Sequence, residues 1–240
     1  MNLLGYILIF NLLGSILSLA GGFLLLKKTT FSIKIFHYLT SFAAGALLAT
    51  AMFDLLPEAI NEGKDVSISM SSVFVFCLFG IIFFFLLERL LHWFHHHGME
   101  EHEIKGRPIV PLLIVGDTIH NFIDGIAIAA TFAVSIPLGI VTTFAVGAHE
   151  IPQEVGDFGV MLNKGIRRKK VLLINLLSAL ASFAGALLAY YFGAQIEGLA
   201  VIFLSVAAGF FLYIALSDLI PEIHHQNKKR FALAETISLL

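Results

Sequence analysis

Seven apolar runs, each long enough to cross a lipid bilayer, follow one another along almost the whole chain, and no other feature limits the fold as much. A membrane-crossing helix needs about 20 mostly apolar residues. That ruler predicts spans at about Leu3–Leu26, Ile35–Ala59, Met70–Phe94, Ile109–Val134, Pro137–Asn163, Val171–Ala194 and Leu199–Ile223. Composition agrees: 58% of the 240 residues are hydrophobic, 13% are charged and 23 are phenylalanine. A soluble domain carries roughly 25% charged residues, because its surface must be wetted. The chain is therefore expected to be an all-α polytopic membrane protein embedded in a lipid bilayer. Met1-Asn2 is not a basic leader and no A-x-A site follows the first run, so that run reads as a retained helix rather than a signal peptide. A formal net charge of −2 argues against a nucleic-acid partner. The single cysteine, Cys77, excludes a disulfide framework and a cysteine-based zinc site.

The basic residues set the expected orientation. Lys27, Lys28 and Lys34 follow the first span, Lys105 and Arg107 the third, Lys164 and Arg167 to Lys170 the fifth, and Lys228 to Arg230 the seventh. Arg89 lies near the same side, and only Lys64 falls opposite. The positive-inside rule then makes the odd-numbered loops cytoplasmic and the N-terminus external, in a plasma or inner membrane.

An internal repeat organises the spans. Residues 41–60, SFAAGALLATAMFDLLPEAI, align without gaps on residues 205–224, SVAAGFFLYIALSDLIPEIH, at an offset of 164. The same offset lays Leu12-Leu13, Ser18, Ala20-Gly21 and Leu24 on Leu176-Leu177, Ser182, Ala184-Gly185 and Leu188. Agreement of neighbouring helices on one offset indicates duplication. The first and sixth helices are five spans apart, so the copies are inverted, as in secondary transporters whose substrate site lies near mid-membrane between repeats. A counterpart of the third helix is expected to begin near residue 234, as an eighth helix cut short at Leu240. The expected organisation is a single 3+2+3 transporter domain over 1–240, with repeat one at about 3–94, central helices at about 109–163 and an incomplete repeat two at about 171–240.

The central pair carries the chemistry: Asp117, His120, Asp124, His149, Glu150, Glu154 and Asp157. A charge at the bilayer centre costs roughly 2.5–3.5 kcal/mol even on the lenient insertion scale, so these groups need pairing, protonation, water or a cation. Residues four apart lie about 40° apart around a helix. His120 and Asp124 therefore share a face with Asn121 and Asp117, while His149 and Gln153 share one with Glu150 and Asp157, and Glu154 sits at its edge. Two such stripes of imidazole, carboxylate and amide make a cation cage. Added imidazoles favour zinc, iron, manganese or similar metals over calcium and magnesium. Pro152 removes a backbone hydrogen bond within the fifth helix and can free the Ala148 carbonyl.

At these residues the sequence resembles the ZIP family of divalent-metal transporters. His120-Asn121-Phe122-Ile123-Asp124-Gly125 matches the family's H-N-x-x-D/E-G motif, and His149 to Phe158, HEIPQEVGDF, is similar to its H-E-x-P-x-E-x-G-D-F motif. The resemblance implies an eight-helix fold that moves zinc, and in some members iron, manganese or cadmium, towards the cytoplasm. It implies two adjacent metal positions: one using His120, Asp124, His149 and Gln153, the other Asn121 and Glu150 with groups shared from the first. Glu154 belongs to the same motif and to the expected metal set. No resident cofactor is implied beyond the transported Zn2+ or its Fe2+, Mn2+ and Cd2+ analogues, and a homodimer is a family expectation. Gln153 stands where many relatives have histidine, and Ser182 near a position where some have an acid.

Other polar groups fit a pathway. Asp54 with Glu58, and Asp218 with Glu222, end the second and seventh helices and recruit or release cations at opposite faces, or cap helix ends beside Pro57 and Pro221. Asp117 and Asp157 extend the stripes along the same route. His92, His95, His96, His97 and His102, among Glu100, Glu101 and Glu103, form a loose metal-collecting segment or a solvated loop. Trp93 and Tyr190–Tyr191 read as interfacial anchors, and Cys77 as packing or lipid-facing filler. The expected activity is zinc uptake by alternating access through the His/Asp/Glu site, with a selective metal channel as the alternative. A membrane-embedded metallohydrolase is the remoter rival, since His149-Glu150 is followed by Gln153 where the H-E-x-x-H signature needs a second histidine.

Overall fold

A computed structural model describes residues 2–26, 33–96, 109–193, 195–225 and 232–240. Among the described residues eight helices and no strands are found. Helix α1 is Leu3–Leu26. Helix α2 runs without interruption through Ile33–Ala49, a π-helical turn Thr50–Leu55, and Leu56–Asp65. Then follow α3 (Met70–His96), α4 (Ile109–Val134), α5 (Ile136–Asn163) and α6 (Arg168–Gly193). Helix α7 repeats the pattern of α2 as Leu199–Tyr213, a π-helical turn Ile214–Leu219, and Ile220–His225. Helix α8 is Ala232–Leu239.

Five of these helices, α2, α3, α4, α6 and α7, contain stretches long and apolar enough to cross a membrane. A shorter apolar stretch, Leu3–Ser15, opens α1. Helix α5 has the length but interrupts its apolar run with His149, Glu150, Gln153, Glu154 and Asp157. Outward-facing apolar side chains such as Phe74, Phe79, Phe85 and Leu86 on α3 give the bundle an oily exterior that suits lipid rather than water.

The duplication reappears as geometry. The π turns at Thr50–Leu55 and Ile214–Leu219 are separated by the same 164 residues as the aligned sequences. Each lies just ahead of a proline, Pro57 or Pro221, which lacks an N–H and crowds the carbonyl four residues back, so a wider local turn relieves both defects. The same faces are buried in both copies: Ser41 and Ser205, Ala43 and Ala207, Ala44 and Ala208, Ala51 and Ala215. The expectation that Asp54, Glu58 and their counterparts cap helix ends is corrected here. The backbone stays right-handed helical through Ala49 and Leu55, and α2 continues to Asp65, so Asp54 and Asp218 lie within π turns inside a helix, with Glu58 and Glu222 just beyond them.

Packing divides the helices into two bundles. Helix α4 lies along α6 and α1 along α5, and these four helices form one group; α3 lies along α7 and α2 along α8 in the other. The groups meet mainly where α2 touches α5 and α7 touches α4. Glycines set the close approaches within each group. A Cβ on Gly125 would stand 1.8 Å from the Ser182 carbonyl oxygen, and one on Gly185 would stand 1.9 Å from that of Phe122, so α4 and α6 cross nearly backbone to backbone. In the second group, Gly209 meets the Cys77 carbonyl and Gly80 that of Val206, while Gly45 meets that of Leu239. Cys77 is thus packing material at the α3–α7 crossing, buried and free.

The basic residues Lys164 and Arg167 to Lys170 are exposed around the short α5–α6 turn. Lys27, Lys28, Lys105, Arg107, His97, His102, Glu100, Glu101, Glu103 and Lys228 to Arg230 lie outside the described residues, as do the side chains of Lys34, His92, Trp93, His95 and His96. Tyr190 and Tyr191 pack edge to face with centroids 5.1 Å apart, and Tyr191 is exposed.

The glycine crossing predicts a stability difference. Gly185→Ala should destabilise the detergent-solubilised protein by about 1–3 kcal/mol, the usual range for overpacking, because backbone has to move. Gly159→Ala, where a Cβ meets nothing within 4 Å, should leave the melting temperature essentially unchanged or slightly raised. Thermal unfolding of the two variants side by side checks this.

Candidate metal centre

The helical period lines up Asp117, His120, Asn121 and Asp124 on one face of α4, at spacings of three, four and seven residues. Helix α5 starts on a clean stop: Ser135 is extended and its side chain accepts a hydrogen bond from the Leu138 amide, with Pro137 in the first turn. The helix then continues through Pro152 as far as Asn163, so the proline does not end it. Its His149, Glu150, Glu154 and Pro152 are all buried.

The two faces meet. Nε2 of His120 and Nε2 of His149 are 3.0 Å apart, and Oδ2 of Asp124 is 3.4 Å from each of them. Oε1 of Glu150 lies 3.9 Å from Nε2 of His120. One ligand atom from each of His120, Asp124, His149 and Glu150 falls within 4.8 Å of the others, and all four residues are buried. Ligands about 2.0–2.1 Å from a tetrahedral zinc stand about 3.3 Å from one another. The His120–His149–Asp124 triangle already has nearly that size, before any ion draws it in.

The protonation geometry of His149 also suits a metal. Its Nδ1 lies 3.1 Å from the Ala145 carbonyl oxygen, which can only accept, so Nδ1 carries the hydrogen and Nε2 presents its lone pair to the cluster. A carbonyl hydrogen-bonded to the far nitrogen of the ring in this way fixes both ring orientation and tautomer. Oδ2 of Asp124 and both carboxylate oxygens of Glu150 and of Glu154 are buried without a hydrogen-bond partner among the described residues. Buried carboxylates in that condition are costly unless neutralised or ligated, and a divalent cation does both. No thiolate takes part in this cluster.

The remaining expected residues surround this centre rather than join it. The Asn121 amide donates to the Asp117 backbone carbonyl and to Oδ1 of Asp117, both at 3.0 Å, leaving its own carbonyl oxygen as the available ligand atom. Ser178 and Gln153 lie near enough to the Asp117 carboxylate to interact with it. Glu154 is electrostatically coupled to Asp117 and Asp157, and Asp157 to Asp117. These three acids form a ladder running from the cluster along the first half of α4 and the last half of α5. Asp54 and Asp218 sit in the π turns of α2 and α7, outside the four-residue cluster.

Several neighbours were not singled out from the sequence as parts of the site. A small cavity of about 10 Å³ is lined by Asn121, Asp124 and Glu150 together with Asn11 and Ser15 of α1 and Ser182 of α6. Ser15 and Ser182 stand 3.4 Å apart across it, oxygen to oxygen. Asn11 carried a signal, because the 164-residue offset lays it on Asn175 and both are buried. The aromatic rings of Phe84 and Phe211, which pack on the two histidines, carried none: the chain holds 23 phenylalanines with nothing to distinguish these two.

With this geometry described, comparison with known proteins decides the family. The sequence profile described as ZIP zinc transporter matches residues 2–109 and 98–240. The chain belongs to the ZIP zinc transporter family. Among similar curated proteins, zinc transporter ZIP4 of Mus musculus is 46% identical over 123 residues, 51% of this chain and 18% of that protein. Zinc transporter ZIP10 of Homo sapiens is 41% identical over 130 residues, covering 54% of this chain and 16% of its own length. Zinc transporter ZIP6 of Homo sapiens is 36% identical over 136 residues, 55% and 18% respectively. The matched part is therefore less than a fifth of each of these relatives. ZIP family members are transporters, not enzymes, which sets the metallohydrolase alternative aside.

A ligand deletion tests the centre directly. Asp124→Asn should weaken zinc binding to the purified protein at least tenfold, since even outer-shell losses at metal sites cost about 10–100-fold. Isothermal titration calorimetry of the variant against the parent, at matched folding by circular dichroism, measures it.

Proposed function

We propose that this chain carries zinc, or a divalent cation of similar chemistry, across a membrane into the cytosol by alternating access through the centre between α4 and α5. The observation that carries this reading is the convergence of Nε2 of His120, Nε2 of His149, a carboxylate oxygen of Asp124 and one of Glu150 at ligand-to-ligand spacing. Family membership and the zinc transporters among its relatives support zinc as the cargo; iron(II), manganese and cadmium share enough ligand preference to compete for an imidazole–carboxylate site.

The division into two helical bundles supports movement of one against the other. All four ligands reside on α4 and α5, inside one bundle, so the ion travels with its site while the interface with α2 and α7 slides or rocks. The duplicated π turns support an inverted repeat, in which two related halves exchange roles between outward and inward states. Asp117, Glu154 and Asp157 then supply successive oxygen ligands towards the ends of α4 and α5 that the positive-inside rule makes cytoplasmic. Exposed Lys164 and Arg167 to Lys170 at the α5–α6 turn are consistent with that orientation.

Purified protein in liposomes loaded with a metal-sensitive dye should show saturable zinc entry, and His120→Ala should abolish it. Undiminished entry through His120→Ala would overturn the site, and tight binding without entry would overturn transport. Asp124→Ala and Glu150→Ala should each remove most uptake while leaving membrane insertion, read by protease protection, unchanged.

A further inference from the structure

Both histidines of the cluster touch aromatic rings from the other bundle. The Phe84 ring of α3 meets His120 edge to face, with centroids 5.5 Å apart and planes at 74°. The Phe211 ring of α7 lies against His149, with centroids 6.1 Å apart and planes at 60°. Phe84 is itself held on two sides, edge-on to Phe210 at 4.8 Å and tilted against Tyr213 at 5.3 Å. The Tyr213 hydroxyl donates to Oε2 of Glu88, one turn along α3 from Phe84, and so ties α3 to α7 directly behind that ring. Phe84 and Phe211 are both buried.

We propose that Phe84 and Phe211 form an aromatic latch that holds the two bundles in the arrangement seen here through the imidazoles of His120 and His149, with the Tyr213–Glu88 hydrogen bond as its anchor. This rests on the transport reading given above and adds to it the contact that must break for the bundles to move. The metal ligands themselves are the handle. A bound ion would add a bond at Nε2 of each imidazole and hold the two rings more firmly against Phe84 and Phe211, so occupancy is communicated to the bundle interface without any separate sensor.

The repeat supplies an independent reason to assign the latch to one state. At the 164-residue offset, Phe210, Phe211 and Tyr213 of α7 correspond to Ala46, Leu47 and Ala49 of α2. Exchanging the roles of the two halves, as an inverted-repeat carrier does, would turn small aliphatic side chains towards the site where aromatic ones stand now. For the rings that α7 contributes, the two end states are then unequal, and the arrangement seen here has more of those contacts. Edge-to-face ring pairs contribute beyond their buried area, enough to change a two-state ratio by about two- to tenfold each.

The experiment measures bundle separation and transport in the same variants. In a Cys77→Ser background, spin labels at lipid-facing positions 86 on α3 and 177 on α6 report the distance between bundles by pulsed electron resonance; Leu86 and Leu177 are both well exposed. In the parent, zinc should sharpen the distribution around one distance. Phe84→Ala should move the population ratio towards the second distance by about two- to tenfold and abolish the sharpening by zinc. Tyr213→Phe, which keeps the ring and removes only the hydroxyl, should shift it the same way by less, and Phe84→Tyr should restore the parent behaviour. In liposomes the same variants should change the maximal zinc entry rate while the half-saturating concentration stays within about twofold, because the ligands are untouched. Parent-like distributions in both Phe84→Ala and Tyr213→Phe would overturn the latch, as would a loss of affinity in step with a loss of thermal stability. If the parent itself fails to move zinc while the variants still shift the distances, the transport reading fails and the latch survives as a conformational contact.

Discussion

Ionisable side chains placed between apolar helices have to find partners, and in this molecule that requirement draws α4 and α5 together. His120, Asp124, His149 and Glu150 are buried, with only a few amide and hydroxyl groups nearby and little room for water beside them. Mutual contact satisfies only part of their need: one triangle of imidazole and carboxylate closes, while carboxylate oxygens of Asp124 and Glu150 remain without hydrogen bonds. A site left short of positive charge in a low-dielectric interior is a site that attracts a divalent cation.

The rest of the architecture holds this pair of helices in place. Within the first bundle, Gly125 and Gly185 bring α4 and α6 so close that their backbones touch, and Thr118 and Ser178 add a hydroxyl contact at 3.2 Å. Apolar helices in lipid gain nothing from hiding oily surface from one another, so small residues and close packing carry their association. Within the second bundle, Gly45, Gly80 and Gly209 do the equivalent, and Ser238 donates to the Tyr38 carbonyl to fasten α8 on α2. Between the bundles the glycine crossings give way to side-chain contact, of which the rings around the two histidines are the most specific. Rigid within, looser between, is the mechanical condition for one bundle to shift against the other.

Much of this was legible in the residues. The boundaries of α1 and α4 follow the apolar runs, and the D-L-x-P-E endings of the two repeats mark where both π turns form. The H-N-F-I-D-G and H-E-I-P-Q-E segments contain the four residues that converge, because helical periodicity decides which side chains share a face. Other features were hidden for physical reasons. The extension of α2 to Asp65 depends on a π turn absorbing Pro57, and a proline in sequence reads equally well as an end. Asn11, Ser15 and Ser182 reach the cavity only because α1 and α6 close over it.

By itself, then, the sequence indicated a set of membrane helices, a repeat at an offset of 164 within it, and a concentration of ionisable groups on α4 and α5. These are matters of hydropathy, offset and periodicity, all of which are local or additive along the chain. Tertiary structure alone decided which donor atoms converge and how far apart they stand, and that Nε2 rather than Nδ1 of His149 faces the cluster. It also decided that two phenylalanines among 23 lie against the ligands. Those outcomes depend on how helices distant in sequence cross, to within fractions of an ångström, and no pattern along a single helix encodes a distance to another.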